Sequence, residues 1–410
     1  MIDTRTRQRT EVCDRSVDEV FDGIVPAAAA GHEGLVVDGI EADDLGPLRL
    51  ESGGRSLTVS SIGGRLVLDP DAEVDAHVAV RVTAEGLSNL AQDVQTPMGL
   101  VMTSRAEIVA GSLDDWLAWE PTLHALFDGR PVHRPGAIDL VDREGAPLDL
   151  DRSFTMDDDR DEMAHFLVEA GFLHVRGVFD APEMAAVGAD LDTCLAGSTP
   201  DDGESWWATD RDGNDMPVRV LWFHERSPAL AGLLDDGRLH WLAELTDDDF
   251  DTDHLGAEGL VKPLGIERGL SDLPWHKDCG QGLHSYNCSG LTVGISVTGA
   301  DRRSGALGVV PGSHRANTRS AMRAPGLDLA ASMLETATGD VTVHCSDTLH
   351  RAHPPTERSR KVVYTGIPLR PLPGDGDGDW WRPSRDDARR SRAELSDVTD
   401  RIDGATGNAR

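Results

Sequence analysis

The sequence predicts an α+β domain followed by a β-sandwich or barrel, and three observations support this fold class. A chain of 410 residues is long enough for two domains at roughly 100–200 residues each. Strand-like and helix-like patterns alternate in the first third of the chain. From about residue 258 to residue 370 the pattern changes to short β-rich runs separated by Gly, Pro, Ser and Asp. Such runs are typical of sandwiches and barrels.

The α+β domain is predicted over residues 16–135, after a loose polar leader. "SLTVSSIGGRLVLDP" has two strand-like runs broken by Gly-Gly, which is a hairpin signal. "DAHVAVRVT" alternates with a period of two, as a half-buried strand does, and "SRAEIVAG" is a further strand. Between them, "AEGLSNLAQDV" has helical spacing. Ser112 and Asp115 form a capping signature for a last helix that closes at Gly129.

The order of these elements resembles the sterol-carrier-protein fold over roughly residues 20–130. That family alternates strands with an acidic-capped helix, here "VTAEGLSNL", and ends with a strand and a helix around an apolar tunnel. The resemblance implies binding of an acyl chain, a sterol or a similar hydrophobe. A generic α+β accessory domain is the alternative interpretation.

The second domain is predicted over residues 154–385, after a Pro-, Gly- and Asp-rich linker at residues 136–153 and before a charged tail at residues 386–410. Thr155 with Asp158 is a second capping signature, followed by an amphipathic helix, the strand "FLHVRGV" and another helix. The later strand-like runs are "LTVGISVTG", "GALGVVPG", "GDVTVHC" and "RKVVYTGIPL".

Charge and composition narrow the class of protein. The formal net charge is −33, with 72 acidic against 39 basic residues, which disfavours binding to nucleic acid or to an anionic membrane. No apolar run approaches the roughly 20 residues that a membrane span needs, and the N-terminus lacks the apolar segment of a signal peptide. The 5 cysteines are scattered without a CxxC pair, which indicates free thiols in a reducing compartment. We therefore expect a cytoplasmic protein without a membrane span; the sequence does not determine its oligomeric state.

The stretch "LPWHKDCGQGLH" places His276 and Asp278 two residues apart. Residues i and i+2 of a strand point to the same face. With a second histidine they would form the facial triad of two histidines and one carboxylate that holds non-haem Fe(II). The pair alone is weak evidence for a metal site, since roughly one or two His-x-Asp sequences arise by chance in a chain so rich in Asp. A zinc site that adds Cys279, Cys288 and His284 is a poor alternative, because its cysteines are too far apart.

Further motifs follow in order over roughly residues 151–372. They are "FLVEAGFLHVRGVF", "VRVLWFHERSPALAGLL" as a helix before the barrel, "WHKD", "GALGVVPGSH" and the closing "GD…H…RK" strands. In this order they resemble the phytanoyl-CoA dioxygenase family of Fe(II)- and 2-oxoglutarate-dependent oxygenases. The resemblance implies a double-stranded β-helix, a cupin-like jelly roll with flanking helices.

The resemblance also implies the iron ligands. His276 and Asp278 match the proximal pair, and His350 matches the distal ligand because it stands eleven residues after the Gly of the "GD" strand start. His353 and His344 compete for the distal position. His344 falls within the strand run, where a core or supporting role is expected, and His353 fits the family spacing less well.

Arginines are expected to bind the co-substrate, because a planar guanidinium grips a carboxylate with two parallel hydrogen bonds. The family places this arginine just after the distal histidine, which implies Arg360, with Arg358 as the second choice. Arg219 matches a further basic position that faces co-substrate or substrate; its alternative is a pair with a nearby acid. Gly294 stands where the family can carry a bulky aromatic, which implies a roomier pocket.

The resemblance implies an oxidoreductase that uses Fe(II), 2-oxoglutarate and O2. It would decarboxylate 2-oxoglutarate and hydroxylate an unactivated C–H of a hydrophobic small molecule, a lipid or natural product, free or carrier-linked. Asp278 fills the position that related halogenases leave to chloride, which favours hydroxylation over halogenation. Desaturation, cyclisation and epimerisation stay open. The competing class is a lipid-binding carrier with a catalytically inactive barrel.

Overall fold

The computed structural model describes most of the chain before residue 371. The described residues are 13–70, 76–134, 136, 138–246, 248–253, 255–269, 275–278, 290–319, 321–322, 330–368 and 370. Within them an α+β region is followed by a β-sandwich, as the sequence predicts. The predicted tail at residues 386–410 lies outside the described residues.

The N-terminal region packs helices around a mixed five-stranded sheet in the order β3-β2-β1-β4-β5. Its helices are α1 (Val25–Ala42), α2 (Ala84–Ala91), α3 (Pro97–Met102), α4 (Leu113–Ala118) and α5 (Glu120–Asp128), and its strands are β1 (Leu48–Ser52), β2 (Arg55–Ile62), β3 (Arg65–Pro70), β4 (Val78–Val82) and β5 (Ala106–Ala110). The hairpin predicted at the Gly-Gly pair is confirmed as β2 and β3. Gly63 and Gly64 have φ of 60° and 72°, the left-handed backbone that a tight two-residue hairpin turn needs.

The long helix predicted after Ser112 is divided in two. Ser112 and Asp115 form the expected capping box of α4, and Gly129 ends α5 with φ of 71°. The chain breaks between them at Trp119 because Pro121 lacks the backbone N–H that would continue the helix and is well placed in the first turn of a new one. The likeness to the sterol-carrier fold remains a prediction.

Sequence patterning missed the first helical stretch, a π-helical turn at Glu19–Ile24 that leads into α1. Together they form Glu19–Ala42, a candidate membrane span by length and composition, contrary to the expectation that no segment qualifies. Val20, Val36 and Ile40 of this stretch are buried in the N-terminal core, and 33% of its apolar window is buried inside the protein. The Pro, Ala and Gly content of the stretch had hidden the helical period.

The C-terminal region is a sandwich of two sheets. Its helices are α6 (Arg160–Ala170), α7 (Ala181–Ala196), α8 (Phe223–Arg226) and α9 (Pro228–Asp235), with 3-10 turns at His240–Glu244 and Ser313–Arg315. Its strands are β6 (Phe172–Val175), β7 (Ser205–Asp210), β8 (Asp215–Val220), β9 (Ala257–Lys262), β10 (Ile266–Arg268), β11 (Trp275–His276), β12 (Leu291–Ser296), β13 (Leu307–Val309), β14 (Ala321–Met322), β15 (Ser332–Leu334), β16 (Val341–Cys345), β17 (His350–Ala352) and β18 (Arg360–Ile367). The larger sheet has the order β10-β7-β8-β9-β18-β12-β16-β6, and the smaller sheet has the order β14-β11-β17-β13-β15.

The larger sheet separates the apolar core from the candidate site. Alternate residues of a strand point to opposite faces. One face carries buried apolar side chains of the main core, including Val293, Ile295, Val341, Val343 and Val363. Gly259 of β9 meets Leu191 of α7 and Phe223 of α8, so helices cover this face. The opposite face carries polar residues, among them Thr292, Thr342, His344 and Arg360.

The predicted start of α6 needs correction. Asp158 accepts hydrogen bonds from the backbone N and Oγ1 of Thr155 and closes a turn, whereas Asp159 caps α6. Asp159 takes the cap because its carboxylate reaches the free N–H groups of the first helical turn.

The segment "VRVLWFHERSPALAGLL" is not one helix. It begins as the end of β8, turns at Trp222 with φ of 48°, and continues as α8 and α9. Pro228 separates α8 from α9, because proline is favoured at the start of a helix and not inside one.

The two regions have separate hydrophobic cores, one within residues 20–126 and one within residues 154–367. Between them, the chain near residue 130 contacts the sandwich at Asn317. The Asn317 amide donates to Asp128 Oδ1 at 3.1 Å and to the backbone O of Arg130 at 2.9 Å. The predicted domain limits at residues 135 and 154 remain predictions.

Candidate metal centre

The two sheets bring three predicted ligands together. His276 of β11 and His350 of β17 are direct register partners in the smaller sheet, with ring centroids 4.2 Å apart. Asp278 follows in a bend after β11, not within the strand as predicted. Its backbone N–H donates to Ser346 O at 2.9 Å, just beyond β16 of the larger sheet. This bond fixes the backbone of Asp278, and its carboxylate lies beside the imidazoles of His276 and His350.

The donor atoms of these residues form a compact group. His276 Nε2 and His350 Nε2 lie 3.5 Å and 3.6 Å from Asp278 Oδ1. One ligand atom from each residue lies within 4.8 Å of the others, and among the described residues no other set of His, Cys, Asp or Glu does so. Two imidazoles and one carboxylate on one side of a metal are the donor set that suits non-haem Fe(II).

Neighbouring groups orient both kinds of donor. His350 Nδ1 lies 2.9 Å from the backbone O of Thr348, which can only accept a hydrogen bond. Nδ1 therefore carries the proton, and the Nε2 lone pair is free for a metal. On the other side, Thr292 Oγ1 donates to Asp278 Oδ2 at 2.9 Å.

The electrostatics favour a cation at this position. Burial raises the pKa of Asp278, but His350, His276 and His344 around the carboxylate outweigh it and hold the pKa well below its usual range. Burial lowers the pKa of His350 well below its ordinary value, and His344 and His276 lower it further. Near neutral pH the carboxylate is therefore charged and the His350 imidazole neutral, the forms that bind a metal.

The two competing histidines occupy different places. His353 packs edge-on against Trp275, with ring centroids 6.2 Å apart, and is not part of the group. His344 lies next to the group, with its ring 4.1 Å from that of His350 and its Nε2 3.5 Å from Asp278 Oδ2. Residue patterning had given His344 only a general supporting role.

Arg360 begins β18 on the site face of the larger sheet. Arg360 and Tyr364 are four residues apart on β18 and therefore share a face of the sheet. Tyr364 is the register partner of Gly294, which lies two residues from Thr292 on β12. The Arg360 side chain is buried, and its Nε and Nη2 have no hydrogen-bond partner within the described part of the chain. A buried guanidinium with two unused N–H groups suits a carboxylate of the co-substrate. Arg358, the second choice, is exposed and pairs with Asp301.

Arg219 lies further along the same face, on β8. It forms an ion pair with Glu258, and its guanidinium stacks over Trp206 at 4.4 Å from the ring centroid. The charge of Arg219 is therefore already balanced by an acid, which was the alternative expectation. Its contact with 2-oxoglutarate or substrate remains a prediction.

Two cross-strand neighbours occupy the space next to Gly294. A Cβ on Gly294 would lie 2.8 Å from Thr342 Oγ1 and 3.0 Å from the Tyr364 ring. The missing side chain therefore leaves no free space at the Cβ position, and a roomier pocket remains a prediction. Cys279, Cys288 and His284 of the zinc alternative lie outside the described residues.

Sequence reasoning missed Thr292 and Ser346, both of which hold Asp278. No local signal could have found them, because each reaches Asp278 through sheet pairing between distant segments. Thr292 is the register partner of His344 across β12 and β16, which brings both side chains to the same carboxylate oxygen.

Comparison with solved structures finds loosely similar chains. AviO1 from Streptomyces viridochromogenes is 18% identical over 52% of this chain and 98% of its own, with a TM-score of 0.42. EctD from S. alaskensis is 18% identical over 58% of this chain and 84% of its own, with a TM-score of 0.43. The epimerase SnoN from nogalamycin biosynthesis is 21% identical over 53% of this chain and 91% of its own, with a TM-score of 0.41. No curated protein is significantly similar in sequence.

Residues 167–362 match the family model described as Phytanoyl-CoA dioxygenase (PhyH). The match includes all three members of the group and Arg360. The cofactors of this domain are Fe(II) and 2-oxoglutarate, with O2 as co-substrate, and the residues fit them: a compact His, Asp, His group for the metal, and for the far carboxylate a buried arginine whose Nε and Nη2 have no hydrogen-bond partner in the described part of the chain. Residues 167–362 therefore form a domain of the phytanoyl-CoA dioxygenase family of Fe(II)- and 2-oxoglutarate-dependent oxygenases.

Proposed function

We propose that this protein is a cytoplasmic dioxygenase that hydroxylates an unactivated C–H of a hydrophobic small molecule, a lipid or natural product. One observation carries the proposal: the donor atoms of His276, Asp278 and His350 lie within 4.8 Å of one another, and the same sandwich holds the buried Arg360, whose Nε and Nη2 have no hydrogen-bond partner among the described residues. A barrel that had lost turnover would have no reason to keep a buried charge without a partner, because such a charge is costly.

Each residue has a defined task. His276 Nε2, His350 Nε2 and Asp278 Oδ1 would hold Fe(II) through one face, which leaves the other positions to co-substrate and O2. Bound there, Fe(II) supplies the O2 activation that an unactivated C–H requires. Arg360 would grip the far carboxylate of 2-oxoglutarate and fix its orientation. Burial of the two histidines and Arg360 keeps bulk water away from the reacting atoms.

Asp278 supports hydroxylation as the outcome. Its carboxylate occupies the ligand position that halogenases of this type leave open to chloride. Desaturation, cyclisation and epimerisation begin with the same C–H cleavage, so product analysis distinguishes them from hydroxylation.

The substrate proposal rests on charge and domain composition. A net charge of −33 disfavours a strongly anionic CoA thioester and favours a neutral hydrophobe. The N-terminal α+β region, if it binds lipid as its sterol-carrier likeness implies, would present such a molecule to the oxygenase. Whether the substrate is free or linked to a carrier is decided by comparing both forms as substrates.

The test is an anaerobic titration of the apoprotein with Fe(II) and 2-oxoglutarate. Wild type is expected to develop the visible metal-to-ligand charge-transfer band of the chelated co-substrate. His276→Ala should lose the band, and the matched variant His353→Ala should keep it, because His353 lies outside the donor group.

No band in folded, metal-loaded wild type would overturn the oxygenase proposal. Co-purified lipid in such a protein would then favour the carrier alternative.

A further inference from the structure

The two carboxylate oxygens of Asp278 face different partners. Oδ1 lies 3.5 Å and 3.6 Å from the Nε2 atoms of His276 and His350. Oδ2 accepts the Thr292 hydroxyl at 2.9 Å and lies 3.5 Å from His344 Nε2. One oxygen is thus directed at the metal position and the other at the larger sheet.

His344 is built into this second side of the carboxylate. It is 1% exposed, on β16, directly across from Thr292 on β12. The nearest polar group to its Nε2 is Asp278 Oδ2 at 3.5 Å, a contact too long and poorly aligned for an ordinary hydrogen bond, and its Nδ1 has no hydrogen-bond partner within the described residues. Buried polar atoms are nearly always satisfied, so an imidazole placed in this way beside a carboxylate calls for a specific role.

His344 does not belong to the metal-ligand group itself. Within the described part of the chain, the set whose donor atoms all lie within 4.8 Å of one another consists of His276, Asp278 and His350. The Nε2 of His344 approaches Oδ2, whereas the other two histidines approach Oδ1. Its geometry is that of a neighbour of the carboxylate.

We infer that His344 is a positioning residue: its Nε2–H, with the Thr292 hydroxyl, holds Asp278 Oδ2 so that Oδ1 alone is presented to Fe(II). A carboxylate held by one hydroxyl can still rotate about its Cβ–Cγ bond and offer both oxygens to a metal. A second donor on Oδ2 prevents this and keeps the position that the second oxygen would take available for co-substrate or O2. The inference rests on the proposed metal site.

The experiment measures the affinity of the protein for Mn(II) alone, by the loss of the free Mn(II) electron paramagnetic resonance signal. His344→Phe keeps a ring of similar volume without nitrogen, and His344→Gln can place an amide N–H near the original Nε2. His353→Phe is the matched control. Outer partners of metal ligands typically contribute 10–100-fold in metal affinity.

We expect His344→Phe to bind Mn(II) about 10–100-fold more weakly, His344→Gln to recover part of the affinity, and His353→Phe to match wild type. Rescue by Gln is the readout that a merely space-filling histidine would not produce. Thr292→Val removes the other donor to Oδ2 and is expected to weaken binding in the same direction. This variant keeps the test decisive if His344→Phe does not fold.

The outcomes separate the two proposals. Wild type that binds neither Mn(II) nor Fe(II) contradicts the metal site as a whole. Wild type that binds, with unchanged affinity in folded His344→Phe or in Thr292→Val, overturns only the positioning role. Loss as complete as in His276→Ala, without rescue by Gln, would make His344 a ligand and overturn it too.

Discussion

At the scale of one residue, the burial of Arg360 distinguishes it from the neighbouring Arg358 as the arginine that needs a counter-charge from a ligand. The Arg360 side chain is 4% exposed, and its Nε and Nη2 find no partner among the described groups. Arg358, two residues away, is exposed and pairs with Asp301. A buried cation without a counter-charge is strongly destabilising unless a ligand supplies one. The co-substrate carboxylate is the natural counter-charge at this position.

Arg360→Gln is therefore expected to weaken 2-oxoglutarate binding by roughly 10–100-fold, since hydrogen bonds to charged groups contribute about 1.5–3 kcal/mol. The measurement is the 2-oxoglutarate concentration that half-saturates the charge-transfer band. Arg358→Gln is the matched control and should bind as wild type does. Equal effects of the two substitutions would contradict the assignment of Arg360.

At the scale of the element, β12 has no space for a larger side chain at its centre. Gly294 lies between β16 and β18, where Thr342 and Tyr364 already occupy the position of a side chain. One end of β12 therefore places Thr292 against Asp278. At its centre, the side chains of Thr342 and Tyr364 from the two neighbouring strands cover Gly294 on the site face. A family that carries an aromatic at this position must arrange those neighbours differently.

Gly294→Phe should lower the free energy of unfolding by about 1–3 kcal/mol, because overpacking forces neighbours out of place. Urea unfolding of the apoprotein measures the change. Gly232→Phe is the matched control, since Gly232 on α9 is exposed and a Cβ there meets nothing within 4 Å. A Gly294→Phe protein as stable as wild type would mean that Tyr364 and Thr342 can move aside freely.

At the scale of the whole molecule, the N-terminal core encloses an ionic cluster remote in sequence from the metal centre. His124 of α5 bonds through Nδ1 to Asp93, and its Nε2 lies 3.6 Å from Glu120 Oε1. All three side chains are at most 2% exposed. Burial lowers the pKa of His124, but Asp93 and Glu120 more than reverse this and raise it to about 9.

This cluster makes stability depend on pH. The folded pKa of His124 is above its unfolded value of 6.5, so its contribution is fully present below pH 6.5 and is lost as the pH rises through about 9. We expect α5 to lose up to about 3 kcal/mol of protection over this range, measured by hydrogen exchange of its amides. His124→Gln should remove most of that slope; the same slope in both proteins would contradict the assignment.

Local sequence patterns were enough to predict many helices and strands and the residue types that form the metal centre. The Gly-Gly hairpin, the capping box at Ser112 and the spacing of His276 and Asp278 depend on residues close in the chain. Sequence patterns failed at two helix boundaries: Asp159 caps α6 in place of the predicted Thr155, and Pro121 divides a predicted helix in two.

Tertiary structure alone decided which candidates meet. Pairing of β11 with β17 places His350 beside His276, and the end of β16 turns Asp278 towards both. Sheet register also set Thr292 and His344 on the second carboxylate oxygen. A sequence lists residues along a line, whereas a metal site depends on distances across strands that are far apart in it. Those distances exist only once the two sheets have packed.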